Sequence, residues 1–560
     1  MTVAIPFSVS AGELQDLLTR PGITSAVAVP PLPARISADR LGSVLPADYS
    51  WRLPARLGTT ILFVGGRDNI TARMIRTAFA GGAKRIICWN LNRWKQQSVL
   101  SLAFWKTLSK VAGLSQRVTS KVAVSQLLGA GFVEALTRRR LLRLLNAKQG
   151  SLPTPTAPIP GRVVIACPTL VAGGAERQIV NTAIGLHRHR HADITVLVSR
   201  LFSPPGNDFF HDALIAAGVD VQELQSPTST AESWNWHQTS PIGELLHQLD
   251  GQLRQLPPEL RQEVANTYIA LRELRPSVVH AWLDHSCVCA GIAALMAGVP
   301  RVILSGRNVS PIHFAYILQP YMRPAYHAMA ARPETVFVNN SHGGADDYAE
   351  WLGIDKQRFN ILYNGIDLTR AEQTSAEQAA ALRHRHGIPD DALLIGGMFR
   401  LAPEKRPLLW VETLTRLAKD HPDVRGIVFG EGPLQGDIET PIAQAGMAER
   451  IIVAQPTKDS ATALAAFDVL LLTSRWEGTP NVVIEAQAAG TPVVVSGGGG
   501  APEALENGGT GLFVEQPDAG ALARAVSTLL EHAALRRRLG EKGPAFVAER
   551  FGLTRMLTET

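Results

Sequence analysis

Two glutamates, Glu477 and Glu485, stand eight positions apart on either side of the turn Gly478-Thr479-Pro480-Asn481. The apolar run Val469 to Leu472 predicts a strand before them, and a helix is predicted to begin near Val482. A strand-to-helix turn leaves backbone N–H groups without intrahelical partners, and such groups hold anions and hydroxyl oxygens. Gly478 lets the main chain approach a ligand closely, and Pro480 suits a turn or a helix start. One carboxylate before the turn and one in the first helical turn can each accept hydrogen bonds from a polyol, which suits sugar and ribose hydroxyls. The plainer alternative is that both glutamates only favour the helix dipole. Upstream, Arg400 and Lys405 lie five positions apart in FRLAPEKRP, just after another apolar run. Two cations at the carboxyl end of a strand suit a diphosphate, with Arg forking onto two oxygens and Lys acting as a point charge. A solvated basic loop is the alternative.

These residues need elements to position them. From Gly161 onward, short β-branched runs alternate with helical patterns, the signature of parallel α/β sheets. GRVVIACPTL, DITVLVS, VVHAWL, RVILSG, TVFVNNS and FNILYNG form one series. LLIGGMF, RGIVFGEG, RIIVAQP, DVLLLTS and TPVVVSG form a second, beginning near Asp391. Two Rossmann-like α/β domains are expected, over residues 161–375 and 376–560. Ligands in such sheets bind beyond the carboxyl ends of the strands, so two facing domains predict a cleft between them. Gly150 to Pro160 has four prolines in eleven residues and reads as a linker.

Residues 1–149 form an extra basic α/β region. The 560-residue chain is +6 overall, yet residues 1–150 hold 21 Lys and Arg against 6 Asp and Glu, a net +15. The other 410 residues therefore carry −9. Such one-sided charge suits an anionic membrane surface or simply a basic folded domain. One β-α-β unit is expected from TTILFVGG, a helix around Thr71 to Phe79, and RIICWN, and Gly65-Gly66 is read as a structural turn. LNRWKQQSVLSLAFWKTLSKV intersperses Trp94, Phe104 and Trp105 with Lys95, Lys106 and Lys110. Arg138-Arg139-Arg140 and Arg143 alternate with Leu141, Leu142, Leu144 and Leu145. Both stretches fit amphipathic helices, lying at a membrane interface or packed into a core.

Cys88, Cys167, Cys287 and Cys289 make no disulfide framework, and Cys287-x-Cys289 lacks a second pair or spaced His set for zinc. No signal peptide and no run of about 18 apolar residues is found, so a cytoplasmic protein is expected. Nucleic acid is not an expected partner, because no reading module accompanies the basic charge.

Over roughly Gly161 to Arg555 the chain resembles the retaining, nucleotide-sugar-dependent glycosyltransferases of family 4, which have the GT-B fold. The resemblance rests on six motifs in order: Gly173-Gly174-Ala175-Glu176-Arg177, Asn364-Gly365-Ile366-Asp367, Arg400 with Lys405, Gly430-Glu431-Gly432-Pro433, Glu477 with Glu485, and Gly499-Gly500-Ala501-Pro502-Glu503. It implies that Arg400 and Lys405 bind the donor diphosphate. Glu477 and the main chain of Gly478, Thr479, Pro480 and Asn481 would hold the transferred sugar, and Glu485 the ribose. Gly173 and Gly174 would close on the phosphates. Glu176, Arg177, His280 and Arg307 are acceptor-side candidates, with His285 beside them. The resemblance implies neither a metal nor any cofactor beyond the nucleotide sugar as co-substrate.

Two departures stand out. Where many relatives have a histidine after a strand of the first domain, this chain has Ser305-Gly306-Arg307-Asn308. The loop expected near the nucleobase is Ala454-Gln455-Pro456, which leaves the donor base open. The expected activity is transfer of one sugar to a glycan or glycolipid acceptor at the cytosolic membrane face, in polysaccharide or cell-envelope assembly. The rivals are a GT-B nucleotide-sugar epimerase or hydrolase, and a non-catalytic nucleotide-sugar-binding scaffold.

Overall fold

The computed structural model describes residues 2–6, 25–29, 60–64, 85–90, 95–101, 130–146, 157–190, 192–224 and 249–560. Met1–Thr137 and Arg138–Thr560 are separate compact units. The first holds a five-stranded sheet ordered 2-1-3-4-5 by chain position. Thr60–Val64 and Arg85–Asn90 pair in parallel, Thr60 opposite Arg85, which are the two strands of the expected β-α-β unit. The intervening helix and Gly65-Gly66 lie outside the described residues. Lys95–Ser101, read from sequence as the start of an amphipathic helix, is instead a strand antiparallel to Arg85–Asn90. Its Gln-Gln-Ser-Val run has no apolar stripe at helical spacing, and Val99 satisfies its backbone opposite Ile87. The remainder of that stretch, including Phe104, Trp105, Lys106 and Lys110, lies outside the described residues.

Helix Ala130–Leu145 resolves the second amphipathic segment. Leu141, Leu144 and Leu145, spaced i, i+3, i+4, are buried in the core cluster that holds Val279 and Leu304. Arg138, Arg139 and Arg143 stay exposed. Burying each leucine contributes about 2 kcal/mol, so this stripe serves the domain core rather than a bilayer. Among the described residues no helix is long and apolar enough to cross a membrane.

The rest of the second unit contains two parallel sheets. The first has seven strands ordered 7-6-5-4-1-2-3 by chain position, from Ile159–Cys167 to Phe359–Ile361. Its opening strand begins within the proline-rich stretch, Ile159 pairing with Pro276. The second has six strands ordered 3-2-1-4-5-6, from Leu393–Met398 to Gly511–Val514. Val493, Val494 and Val495, in the strand next to its Gly511–Val514 edge, have no exposed surface, as a sheet covered by helices on both faces requires. In both sheets the order reverses between strands 1 and 4, and the loops leaving those strands flank a crevice. In the second sheet they are the loops after Met398 and after Leu472.

The last helices return to the first sheet's domain. Ala533–Phe551 packs on the second domain and Leu553–Glu559 on the first. Met556 and Leu557 join Val338 and Leu362 in one apolar cluster. Gly185 permits this approach: a methyl there would sit 2.4 Å from the Leu557 side chain.

Candidate active site

The loop after Met398 carries Arg400 and turns through Pro403–Lys405. The loop after Leu472 carries Thr473, Ser474 and Glu477. The Thr473 hydroxyl donates to the carbonyls of Lys405 and Arg406 at 3.0 and 3.2 Å, tying the two loops together. Lys405 Nζ lies 2.5 Å from Glu477 Oε1, and Ser474 Oγ donates to the same oxygen at 2.6 Å. Glu477 is only 6% exposed, so its charge depends on these two donors. Its backbone is fixed by a short parallel bridge to Gly498–Gly499, where Gly499 has φ +70° and a Cβ would lie 2.2 Å from the Glu477 carbonyl oxygen. Arg400 is exposed on the same loop, close enough to act on the Tyr316 hydroxyl, which also donates to Glu404 at 3.2 Å.

The turn Gly478 to Asn481 is held by the first domain. Asn364 Nδ2 donates to the Thr479 carbonyl at 2.9 Å and to Asn481 Oδ1 at 2.6 Å. Asn481 Nδ2 donates to the Gly174 carbonyl at 3.0 Å, and the Thr479 hydroxyl donates to the Asn340 carbonyl. Helix Asn481–Ala488 starts from Pro480, whose side chain offers its N–H groups no acceptor. Glu485, in its second turn rather than its first, is met by Arg177 Nη1 from the other side of the cleft. The glycine loop, the crossover motif and the paired glutamates thus meet in one place. Gly478 fits there because a methyl would lie 2.5 Å from Asn340 Oδ1 and 2.7 Å from the Arg307 carbonyl oxygen. Gly478→Ala must displace the loop, and a misplacement near 1 Å costs about 100-fold. We expect that loss in kcat, with a lowered urea midpoint, in steady-state and unfolding assays.

The acceptor-side candidates divide. Glu176 is buried beside Gly173, and burial raises its carboxyl above the usual range. Arg177 spans the cleft to Glu485. His280 is 3% exposed and packs 4.9 Å from the Trp282 ring, so it is closed to an acceptor in this structure. Burial, helped by nearby Arg307, pushes its imidazole down to about 3. The neutral form is therefore the folded form, and the unfolded chain takes up a proton below about 6.5. Stability should fall as pH drops below that value, by up to about 1.4 kcal/mol per unit. His280→Asn should flatten that slope in urea titrations between pH 7 and 5.

Arg307 is also buried, its guanidinium 4.3 Å from the Trp282 ring and donating to Asn364 Oδ1. Burial pushes it down to about 9, and among the described residues no carboxylate pairs with it. It therefore braces the network that carries the Gly478 turn. His285 is placed apart, bonded to Glu263 and Tyr321. Sequence reasoning passed over Asn340, Thr473 and Ser474. Asn340 was visible as a polar residue ending a strand run, but nothing local marked its partner 139 residues away.

Residues 378–546 match the family described as glycosyl transferases group 1, and residues 172–370 match glycosyltransferase family 4. The chain belongs to this family. The glycosyltransferase has the GT-B fold, and its relatives include polysaccharide biosynthesis proteins. It is 28% identical over 472 residues to the Vi polysaccharide biosynthesis protein VipC/TviE of Salmonella typhi, covering 80% of this chain and 78% of that protein. It is 24% identical over 264 residues to the Escherichia coli UDP-Gal:alpha-D-GlcNAc-diphosphoundecaprenol alpha-1,3-galactosyltransferase, covering 46% of this chain and 67% of that one. Anabaena HepE, solved with UDP-glucose, superposes with a TM-score of 0.57 at 20% identity, over 71% of this chain and 97% of its own.

Proposed function

We propose that the protein moves a sugar from a nucleoside-diphosphate sugar, of UDP type, to a glycan or glycolipid acceptor with retention of configuration and without a metal at the phosphates. The reading is carried by the contact between Lys405 and Glu477 where the strand order reverses, with Arg400 on the same loop. An incoming diphosphate meets both cations, and the polyol of its sugar meets the carboxylate that Lys405 and Ser474 hold in place. As the anomeric C–O bond breaks, negative charge gathers on the leaving phosphate oxygen, where preorganised cations stabilise the transition state more than the ground state. That oxygen takes the acceptor hydroxyl's proton as the new C–O bond forms on the same face. No pair of displacing carboxylates is then needed. UDP-type donors are favoured because solved and curated relatives are described with UDP, UDP-glucose and UDP-Gal.

The test is a screen of labelled UDP-, GDP- and ADP-sugars against membrane extracts, with chelator present, followed by NMR of the product anomer. An axial product from an axial donor supports the reading. An inverted product, or full dependence on added divalent ions, rejects it. Free sugar or an epimer from donor alone would favour the epimerase or hydrolase reading instead. We place the reaction at the cytosolic membrane face, with residues 1–149 supplying the cationic surface. The full chain should then co-sediment with vesicles rich in phosphatidylglycerol at low salt and leave them at high salt. Equal binding to neutral vesicles would overturn that placement.

A further inference from the structure

We propose that Glu263, His285 and Cys289 form a binding site for one zinc-class divalent cation on the first Rossmann domain, separate from the donor site and independent of the function proposed above. His285 and Cys289 stand at i and i+4 on helix Asp284–Ala297, so they share one face. Glu263 comes from helix Pro258–Leu274, which packs against it. Glu263 Oε2 is 2.7 Å from His285 Nε2, and Cys289 Sγ is 3.7 Å from the same nitrogen. All three donor atoms lie within 4.8 Å of one another. Tetrahedral zinc with bonds of about 2.0 Å to nitrogen and 2.3 Å to sulfur separates those two atoms by roughly 3.5 Å. The sulfur is already placed, and the carboxylate must draw back by about half an ångström.

The surrounding bonds are those that orient metal ligands. The other ring nitrogen of His285 lies 3.0 Å from the Tyr321 hydroxyl, and the other oxygen of Glu263 accepts from Ser199 Oγ at 2.7 Å. Metal-binding imidazoles and carboxylates are characteristically held in this way through their second atoms. Thiolate, imidazole and carboxylate together select a borderline-soft ion over magnesium or calcium. Cys289 is buried, while the His285 and Glu263 side chains are 38% and 24% exposed, which leaves a way in and an open fourth position. On binding, the Cys289 thiol releases its proton to solvent and sulfur bonds the ion. His285 bonds through Nε2 and keeps its proton on Nδ1, donating to the Tyr321 oxygen. Cys287, the other half of the C-x-C, takes no part, since its thiol donates to the Ala281 carbonyl at 3.3 Å.

The experiment uses the full chain, stripped with chelator and dialysed against zinc, with metal counted per chain. One ion per chain is expected. Cys289→Ser and His285→Ala should each weaken binding by at least about 100-fold, and Ser199→Ala by about 10-fold. Cys287→Ser should bind as the unaltered chain does. Cobalt substituted for zinc should show a thiolate-to-metal charge-transfer band that Cys289→Ser abolishes. This reads the site even where a variant folds poorly. Substoichiometric zinc in the unaltered chain, equal affinity in Cys289→Ser, or cobalt without the thiolate band would each overturn the proposal.

Discussion

Lys405→Ala lowers the rate of sugar transfer by about two to three orders of magnitude, the cost of removing one preorganised donor to a developing oxyanion. Two losses combine. The leaving phosphate loses a point charge, and Glu477, buried and 2.5 Å from Nζ, loses its cation and keeps the Ser474 hydroxyl. A buried carboxylate that has lost its cation is also held less firmly in the position the sugar requires. Lys405→Arg restores charge but not the compact ammonium contact, and should recover only part of the rate. Nucleoside-diphosphate release assays measure both variants. Rates within threefold of the parent for Lys405→Ala would remove the phosphate-binding role.

Arg307→Met separates activity from stability. Among the described residues no carboxylate pairs with the buried guanidinium, and desolvation has pulled it down to about 9. Its compensation is the bond to Asn364, a contact with Ser305 Oγ at 3.5 Å, and the face of Trp282. Cation–π contacts of a desolvated arginine contribute about 2 kcal/mol, which does not clearly exceed the cost of burying the charge. Methionine fills similar space without that cost. We expect unfolding free energy equal to the parent or higher, measured in urea. Asn364 Oδ1 would lose its main donor, and the turn it holds would loosen, so kcat should fall by about 100-fold. Lost stability together with unchanged kcat would mean that Arg307 serves packing alone.

Much of the scaffold was legible because parallel strands announce themselves as short β-branched runs. Val493 to Val495 and Val469 to Leu472 are buried as such runs require. Arg400, Lys405 and Glu477 were legible because they follow strand ends, and Glu485 because it lies in the helix that the same turn opens. What stayed hidden was partnership across long separations. Asn364 and Asn481 are 117 residues apart, and nothing in either neighbourhood encodes their contact. The leucines of helix Ala130–Leu145 showed an amphipathic stripe, but periodicity alone does not say whether lipid or protein covers it. Lys95–Ser101 was misjudged because flanking tryptophans and lysines outweighed a local run suited to an edge strand. His285 and Cys289 stand four apart in the sequence, yet nothing local marks Glu263, 22 positions before His285, as their neighbour.

The returning tail has a mechanical consequence. The polypeptide passes between the lobes twice, once before Ile366 and again at Gly552, and the two passes are clipped together. The Ile366 amide donates to the Phe551 carbonyl at 2.7 Å, and the Leu553 amide to the Ile366 carbonyl at 3.1 Å. Adjacent tethers allow swinging about the line they define and oppose sliding or twisting. Were the lobes to part, these tethers would confine Lys405 and Arg177 to an arc about that line and return them to the same register.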